Sequence, residues 1–484
     1  MDARTKIVAT LGPASDPPEV LDAMLLAGVD VIRLNLSHGD IDGHLVRLAA
    51  VRAAAERTGQ VVAVLADLPG PKVRSAPFPS GGVPLVAGTS VLLVPADDSA
   101  RDDEVSTASR IVVEYPSLLD DLHPGDRVVL GDGAISLGVE RVDADGAMCR
   151  IRTGGHTQGR PGVHIPAERL RLTTPTSEDL ELAAIMADHD VDFLAVSFVR
   201  TAHDLRTVRV ALAPRSVRLI AKIETMAAMD SLEEIVAEAD AVMVARGDLG
   251  IDCPLEDVPH LQKKIIRHCV EMGVPVITAT QMMESMITSP APTRAEVSDI
   301  ANAVFDGTDA LMLSAETAVG IDPVAVVEAM CKVAARAEQE ASYSQWASRL
   351  GRAQRTHWTD GSDRITMAIT HAAGTAAHDA GADAILCCTR SGRTSRAMAR
   401  FRPTLKLVSL SPDPRTVRAA VLSWGVTSLA VDTYESTDDL VWFAVETALK
   451  HGAIHPGQTV LVLAGAPDRP SGAATDVLRI VRVH

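Results

Sequence analysis

The chain has 484 residues, of which 47% are apolar, 23% are charged and only 3% are aromatic. These values are those of a large globular protein with more than one domain, whose cores are built from aliphatic side chains. A formal net charge of −17 argues against a nucleic-acid partner, because phosphate backbones are bound by clustered Lys and Arg. Any anionic substrate must therefore meet a local group of positive side chains.

The cysteines and the N-terminus indicate the compartment. The six cysteines include no Cys-x-x-Cys pair, and the N-terminal sequence MDARTKIVATLGPAS lacks the apolar stretch of a signal peptide. No run of 18 or more apolar residues suggests a membrane span. We therefore expect a cytoplasmic protein with no membrane partner, and neither disulfides nor a zinc site are indicated.

The first 70 residues alternate short β-branched runs with amphipathic stretches. The runs are KIVATL, VDVIRLN and VVAVLAD, and this alternation is typical of βα units with a parallel sheet. From about residue 71 to 170 the runs shorten and turn signals such as HPGD and DADG become frequent, with ISLGVERV and AMCRIRT on either side of DADG. We predict that residues 71–170 form a small all-β domain inserted into the first domain.

The βα pattern then returns with FLAVSFV, RLIAKIE, AVMVARGD, VPVITAT and ALMLSAE. Together with the first three runs these make eight βα units, which predict a (β/α)₈ TIM barrel formed by residues 1–70 and 171–342. The polar stretch at 343–362 is predicted to be a linker. Beyond it AILCCT, KLVSLS, VTSLAV and TVLVLAG alternate with helical stretches, which predicts a separate C-terminal α/β domain with a parallel sheet at residues 363–484.

Polar residues follow most of the predicted barrel strands, at the end of such a barrel where catalytic groups lie. Lys222 and Glu224 are two residues apart on strand five and therefore point to the same side. Glu224 and Asp248, on adjacent strands, are oxygen ligands of the kind that Mg²⁺ or Mn²⁺ prefers, and Lys222 could neutralise a phosphoryl group beside them. A structural ion-pair layer is the alternative, disfavoured by the number of polar strand ends. The other polar ends are Arg33, Asn35, Ser37, Asp67, Ser197, Thr280 and Glu316.

Several segments resemble those of pyruvate kinases, in the same order and over nearly the whole chain. They are TKIVATLGPAS, RLNLSHG, AKIET, MVARGDLG, TATQMMESM and PTRAEVSDIANAVFDGTDALMLSAET. The resemblance implies phosphoryl transfer between phosphoenolpyruvate and ADP, yielding pyruvate and ATP in glycolysis, by a homotetramer. It also implies that the inserted domain is a lid, which closes over the nucleotide and excludes water.

The resemblance implies roles for individual residues. Glu224 and Asp248 would hold the catalytic Mg²⁺ or Mn²⁺, and Lys222 would neutralise the transferring phosphoryl oxygens. The amides of Gly247 and Asp248 would bind the substrate carboxylate, and Thr280 would act near the enolate methylene. Arg33 would supply a second catalytic charge, and the implied nucleotide-binding residues are Arg33, Asn35, Arg74 and Arg160.

Two segments depart from the family pattern. The lid segment RPGVHIPA replaces the usual Lys-Lys-Gly-Val-Asn-Leu-Pro-Gly, so Arg160 keeps one positive charge, Pro161 removes another, and His164 and Ala167 also differ. Ala315 stands where the family has glycine in LSAET. A catalytically weak paralogue that binds phosphorylated metabolites and regulates a partner is therefore an alternative. A barrel lyase acting on phosphoenolpyruvate or pyruvate is another, although it would not need the lid.

A further departure concerns the monovalent cation. Many pyruvate kinases bind K⁺ at positions matching Asn35, Ser37 and Asp67, with a threonine at position 68 and a glutamate at position 72. This chain has Leu68 and Lys72. We predict that the Lys72 ammonium replaces the ion, because it repels K⁺ and attracts the substrate phosphate, so that K⁺ is not required. A solvated loop lysine is the alternative.

The C-terminal segment CCTRSGRTSRAMAR places a strand, a polar loop and a helix start in succession, which can bind phosphate. The matching loop of pyruvate kinases receives an allosteric phosphate, so the resemblance implies a phosphorylated effector here. An ordinary βα turn with solvated arginines is the alternative. The implied contacts are Thr389, Ser391, Gly392, Arg393, Thr394 and Ser395.

Overall fold

The computed structural model describes residues 3–96, 105–131, 133, 135–165, 173–341, 343, 350, 361–433, 436–465 and 474–484. Among these residues, every helix is too short or too polar to cross a membrane. The predicted linker at 343–362 lies mostly outside this part of the chain. Its last two residues begin a C-terminal helix, and the domain boundaries stay predictions.

The chain starts with the predicted βα alternation. The elements are β1 (Lys6–Thr10), α1 (Pro18–Ala27), β2 (Val31–Asn35), α2 (Ile41–Thr58) and β3 (Ala63–Asp67). Asp40 caps α2 by accepting from the Gly43 amide at 2.7 Å, and Gly59 ends the helix with a positive φ of 67°. These short helices return the chain to the next parallel strand.

The inserted domain is all-β apart from one helical turn, as predicted. Its described elements are β4 (Val83–Leu85), β5 (Ser90–Pro95), β6 (Arg110–Val113), α3 (Leu118–Asp121), β7 (Arg127–Leu130), β8 (Ile135–Asp143), β9 (Gly146–Thr153), β10 (Gly155–Thr157) and β11 (Val163–His164). Six of these strands form one sheet in the order β11-β7-β8-β9-β5-β6, and β10 pairs with β4. The β8–β9 hairpin turns at DADG, where the sequence predicts it. The domain has its own apolar core.

The second part of the barrel follows. Its described elements are α4 (Ser177–Asp188), β12 (Phe193–Val196), α5 (Ala202–Leu212), β13 (Arg218–Ile223), α6 (Met226–Asp230), α7 (Leu232–Glu238), β14 (Ala241–Ala245), α8 (Arg246–Asp252), α9 (Val258–Met272), β15 (Val276–Ala279), α10 (Arg294–Asp306), β16 (Ala310–Leu313), α11 (Ala315–Ala318) and α12 (Pro323–Glu340). Within the described residues, eight parallel strands close in the order β1-β16-β15-β14-β13-β12-β3-β2, which confirms the barrel.

Apolar packing holds the barrel on both sides of its wall. Val8, Val31, Leu65, Phe193 and Met243 belong to the cluster in the barrel interior. A larger cluster joins the outer strand faces to the surrounding helices. Because every strand is buried on both faces, the strands are short and mostly apolar, and many of their polar residues lie at or just beyond their ends.

The C-terminal domain is a separate α/β unit. Its described elements are α13 (Gly361–Asp379), β17 (Ala384–Cys388), α14 (Arg393–Ala399), β18 (Lys406–Ser411), α15 (Pro414–Ala420), β19 (Val426–Ala430), α16 (Thr437–Lys450), β20 (Thr459–Ala464) and β21 (Val477–Arg482). The sheet order is β19-β18-β17-β20-β21. The four predicted strands are parallel, whereas β21 pairs antiparallel with β20 and was not predicted.

Candidate active site

Four charged side chains meet at the C-terminal end of the barrel. Arg33 Nε donates to Asp67 Oδ2 at 2.7 Å, and Lys222 Nζ lies 3.2 Å from Asp67 Oδ1 and 2.9 Å from Glu224 Oε1. Exposure is 9% or less for all four residues. We call Arg33, Asp67, Lys222 and Glu224 the ionic array. Its signs alternate along the array, so that each buried charge has an opposite neighbour.

The ionic array keeps Lys222 and Asp67 charged. Burial alone would raise the pKa of Asp67, but Lys222 and Arg33 lower it below its ordinary value. Burial alone would lower the pKa of Lys222, but Asp67 and Glu224 raise it well above its ordinary value. The barrel end therefore presents a buried ammonium that stays protonated at neutral pH.

Glu224 and Asp248 form the pair of carboxylates that the sequence predicts as metal ligands. Burial, together with the negative charge of Asp248, raises the pKa of Glu224 despite the nearby Lys222. A divalent cation between the two carboxylates would relieve this repulsion, so these residues fit the metal. In the described part of the chain, no group of three or more His, Cys, Asp or Glu side chains is arranged to hold a metal. Two carboxylates with water and substrate completing the shell suit Mg²⁺.

A cavity of about 830 Å³ lies between the barrel end and the inserted domain. Glu224 and Asp248 line it from the barrel, and Arg74 and Arg160 line it from the inserted domain. Among the described residues that line this cavity, five are Lys or Arg and three are Asp or Glu. In a chain of net charge −17, this is a local positive site of the kind that an anionic substrate requires.

Thr280 has a strained backbone at the site. Its φ is +68°, a conformation that β-branched residues rarely adopt, and the Arg246 guanidinium donates to its carbonyl at 2.6 Å. Its hydroxyl donates to the Ala279 carbonyl and accepts from the Gly247 amide at 2.9 Å. The Gly247 amide, predicted to bind a substrate carboxylate, therefore contacts Thr280 here.

The comparisons with known proteins agree with this architecture. Residues 2–327 match the family model described as pyruvate kinase, barrel domain, and residues 367–481 match the pyruvate kinase, alpha/beta domain. The chain belongs to the pyruvate kinase family. Three curated pyruvate kinases show the extent of the similarity.

The Mycobacterium tuberculosis pyruvate kinase is 37% identical over 485 residues, which cover 100% of this chain and 99% of the relative. The Geobacillus stearothermophilus pyruvate kinase is 37% identical over 489 residues, covering 100% of this chain and 80% of the relative. The Clostridium acetobutylicum pyruvate kinase is 35% identical over 481 residues, covering 99% of each. The predicted family and enzyme type are therefore confirmed.

Lys72 lies at the position where many pyruvate kinases are expected to have a cation ligand. Its Nζ donates to Ser37 Oγ at 3.1 Å, and Asn35 Oδ1 accepts from the Ser37 amide at 3.3 Å. The Lys72 side chain faces the cavity. Its burial there, together with the positive charge of Lys222, lowers the pKa of Lys72. Leu68 packs in the apolar core instead of offering a ligand.

The two predicted lid arginines are close together. Arg74 Nη1 donates to the Arg160 carbonyl at 3.4 Å, and the Arg160 guanidinium forms an ion pair with Glu114 of the same domain. His164 lines the cavity, and Ala167 lies outside the described residues. Arg160 would have to exchange Glu114 for a nucleotide phosphate in order to bind it.

The predicted effector loop joins β17 to α14. Gly392 has a φ of +79°, and its amide donates to the Thr389 hydroxyl at 3.0 Å. Thr394 and Ser395 are buried, where their hydroxyls hydrogen-bond to Thr475 and Ser409, each at 2.7 Å. These two hydroxyls point into the domain, so Thr394 and Ser395 would have to leave Thr475 and Ser409 in order to contact an effector.

The effector loop is linked to the barrel through Thr416 of α15. The Thr416 hydroxyl donates to the Arg390 carbonyl at 2.9 Å and accepts from Arg218 Nη2 at 2.9 Å. Arg218 begins β13, the strand that carries Lys222. A hydrogen-bonded path of two contacts therefore connects the loop to a strand of the ionic array.

Sequence reasoning missed several residues of the site. Arg127 and Arg200 line the cavity, and neither was assigned a role. Arg200 follows β12 by four residues, so its place just after a barrel strand was a usable signal. Arg127 lies in the inserted domain, and no local pattern separates it from a solvated arginine. Ser197 was named among the polar strand ends, but its contact with Lys222 and the contact of the Phe198 amide with Glu224 are not revealed by the strand pattern alone.

Proposed function

We propose that this chain is a cytoplasmic glycolytic enzyme that transfers the phosphoryl group of phosphoenolpyruvate to ADP, giving pyruvate and ATP. The single observation that carries the proposal is the ionic array beneath a cavity whose far wall carries Arg74, Arg127 and Arg160 of the inserted domain. Phosphoryl transfer depends mainly on positioning and on stabilising charge, which a buried ammonium and the cavity-lining arginines of the lid supply.

In this proposal, Lys222 neutralises the transferring phosphoryl oxygens and Arg33 supports it. Arg33 is held by Asp67 and by the Thr10 hydroxyl at 3.1 Å, so it acts as a fixed charge behind the phosphoryl site. Asn35 at the end of β2, and Arg74 and Arg160 on the cavity wall, bind nucleotide phosphates. These contacts form as the inserted domain closes and excludes water.

Glu224 and Asp248 would hold the divalent ion, Mg²⁺ or Mn²⁺. When bound, the ion supplies a Lewis acid that stabilises negative charge on substrate oxygens. The Phe198 amide donates to Glu224 Oε2 at 2.6 Å and fixes the carboxylate for this role. We propose that K⁺ is not required, because Lys72 already provides a positive charge beside Ser37.

We propose that the amides of Gly247 and Asp248 receive the substrate carboxylate. The carboxylate would replace the Thr280 hydroxyl as the acceptor for the Gly247 amide. Thr280 would then be released to act near the enolate methylene, where it assists protonation. The left-handed backbone of Thr280 holds its hydroxyl close to Gly247 before substrate arrives.

We also propose a homotetramer that binds phosphoenolpyruvate cooperatively and is regulated by a phosphorylated effector at the loop from Thr389 to Ser395. The loop contacts β13 through Thr416 and Arg218, which supports a coupling between the effector and the ionic array. Phe305, Val319 and Ile321 stay exposed on the barrel of the single chain, which supports association.

One assay separates this proposal from the two alternatives. Pyruvate formation from phosphoenolpyruvate is measured with and without ADP. Turnover that depends on ADP supports the kinase. A catalytically weak paralogue forms little pyruvate with or without ADP, and a lyase consumes phosphoenolpyruvate without ADP. Either of these results would reject the proposed function.

A further inference from the structure

Ser197 lies between Lys222 and residues 68–70, which join β3 to the inserted domain and which we call the hinge. The residue follows β12 and is 1% exposed. Its hydroxyl donates to the Leu68 carbonyl at 2.7 Å and accepts from Lys222 Nζ at 2.7 Å. A hydroxyl has one proton, and a carbonyl can only accept, so the oxygen lone pairs of Ser197 are fixed toward the ammonium.

Ser197 completes the set of acceptors around the ammonium. Lys222 has three N–H donors, and the described residues provide three oxygens within 3.2 Å of Nζ, from Ser197, Asp67 and Glu224. The two carboxylates also contact other charged groups or serve as proposed metal ligands. Ser197 is the neutral acceptor of the three.

The same residue packs against the hinge. Gly70 has a φ of +69°, and a Cβ on Gly70 would lie 2.7 Å from Ser197 Cβ and 2.9 Å from the Phe198 ring. The Gly70 amide donates to Asp179 Oδ1 at 2.9 Å, which anchors the hinge to the first turn of α4. The hinge at Leu68 and Gly70 therefore touches Ser197 through both a hydrogen bond and direct packing.

Phe198 extends the same contact to the other half of the array. Its φ is +54°, and its amide donates to Glu224 Oε2. The dipeptide Ser197–Phe198 thus holds the ammonium of Lys222 through a side chain and the carboxylate of Glu224 through the backbone. A shift of Gly70 toward β12 would meet Ser197 and Phe198, the residues that hold both groups.

We propose that Ser197 is a positioning residue that sets the place of the Lys222 ammonium according to the position of the inserted domain's hinge. It contacts Lys222 and acts through it. This inference rests on the proposed function, because Lys222 is assigned there to the transferring phosphoryl group. Its consequence is that closure of the inserted domain and alignment of Lys222 are a single event.

The first test replaces the hydroxyl. Ser197→Ala is expected to lower kcat by about tenfold to one-hundredfold, the cost of losing one hydrogen bond to a charged group, while KM for phosphoenolpyruvate and for ADP changes less than about twofold. Ser197→Cys, which keeps the shape but is a weak acceptor, is expected to show the same defect and guards against a folding failure. Thermal unfolding of each variant is measured alongside.

The matched control is Thr278→Val on β15. The Thr278 hydroxyl is buried and donates to the Thr308 hydroxyl at 2.9 Å, so the variant also loses a buried hydrogen bond. It does not contact Lys222, so its kcat is expected to stay within about twofold of the wild type. If Ser197 had only a structural effect, Ser197→Ala and Thr278→Val would lose the same fraction of kcat for each degree by which the unfolding temperature falls.

The deciding test is a double-mutant cycle at high enzyme concentration. If Ser197 acts through Lys222, adding Ser197→Ala to Lys222→Met lowers kcat by less than about twofold further. The inference would be overturned if the kcat losses of the two single variants multiply in the double variant, or if the Ser197→Ala enzyme has the wild-type kcat. Wild-type turnover with ADP is measured first: its absence rejects the proposed function, whereas its presence with multiplying effects rejects this inference alone.

Discussion

Lys72 and Ser37 are 35 residues apart in the sequence, yet Nζ of Lys72 donates a hydrogen bond to Oγ of Ser37 at 3.1 Å. The contact puts a fixed ammonium beside the set of Asn35, Ser37 and Asp67 that is expected to bind K⁺ in many relatives. Unit charges about 4 Å apart interact by about 1 kcal/mol in water and about 4 kcal/mol at an effective dielectric constant near 20. A K⁺ ion bound about 4 Å from Nζ would be repelled by an energy of this order.

We therefore expect full activity without K⁺. The rate in a buffer whose cation is a bulky ammonium should stay within about twofold of the rate with K⁺ at the same ionic strength, because Lys72 already supplies the charge. Steady-state turnover at saturating substrates is the measurement. A rise of about tenfold or more on adding K⁺ would contradict this prediction.

Reversing the charge should create a response to K⁺. Lys72→Glu is expected to weaken turnover and to recover part of it when K⁺ is added, because a carboxylate beside Ser37 can bind the ion. Lys450→Glu, at the exposed end of α16, makes the same change of net charge far from the cavity and serves as the control. If the two variants respond equally to K⁺, Lys72 is an ordinary surface lysine.

The carboxylate pair predicts the metal dependence. Glu224→Gln and Asp248→Asn should each weaken Mg²⁺ binding by about tenfold or more, because even the loss of a residue that hydrogen-bonds to a metal ligand lowers metal affinity by that factor. Turnover should recover in part at high Mn²⁺. The rise in unfolding temperature on metal titration measures affinity without an activity assay. Asp252→Asn, another carboxylate on the cavity wall, is the matched control. Unchanged metal affinity in both variants would place the metal elsewhere.

The effector loop predicts a loss of regulation without a loss of catalysis. Arg393→Ala should abolish activation by phosphorylated sugars or nucleotides and leave the basal maximal rate unchanged. The activation that is lost should be of the usual size for such coupling, about 5-fold to 150-fold in the affinity for phosphoenolpyruvate. Adding Thr394→Ala should also lower the unfolding temperature, because that hydroxyl is buried against Thr475. Arg482→Ala, on an exposed edge, is the control. Persisting activation in Arg393→Ala would move the effector to another place.

Much of the fold follows from the sequence because each barrel strand is a short apolar run between helical stretches. Parallel strands bring their C-terminal ends to one side, so Arg33, Asp67, Lys222 and Glu224 could be placed together before any coordinates were known. The inserted domain is similarly marked by turn residues. Strand β21 is different: its sequence, VLRIVR, has no clear alternation, so the pattern of βα units gives no reason to expect it.

Contacts between distant residues set the limit of sequence reasoning. Thr394 and Ser395 belong to a loop that can bind phosphate, but their hydroxyls are taken by Thr475 and Ser409 from other parts of the domain. The role of Ser197 likewise depends on the Leu68 carbonyl, 129 residues away, and on an ammonium from the next strand. Such pairings depend on how the elements pack in three dimensions, and no periodic pattern in the sequence indicates them.

The most direct test of the account is the turnover of Lys222→Met in the presence of phosphoenolpyruvate, ADP and Mg²⁺. The variant removes the buried ammonium from the ionic array, and methionine preserves most of the side-chain volume. We expect kcat to fall by about a thousandfold or more while the fold, judged by circular dichroism and cooperative unfolding, is kept. Turnover within about tenfold of the wild type would contradict the assignment of Lys222 to the transferring phosphoryl group.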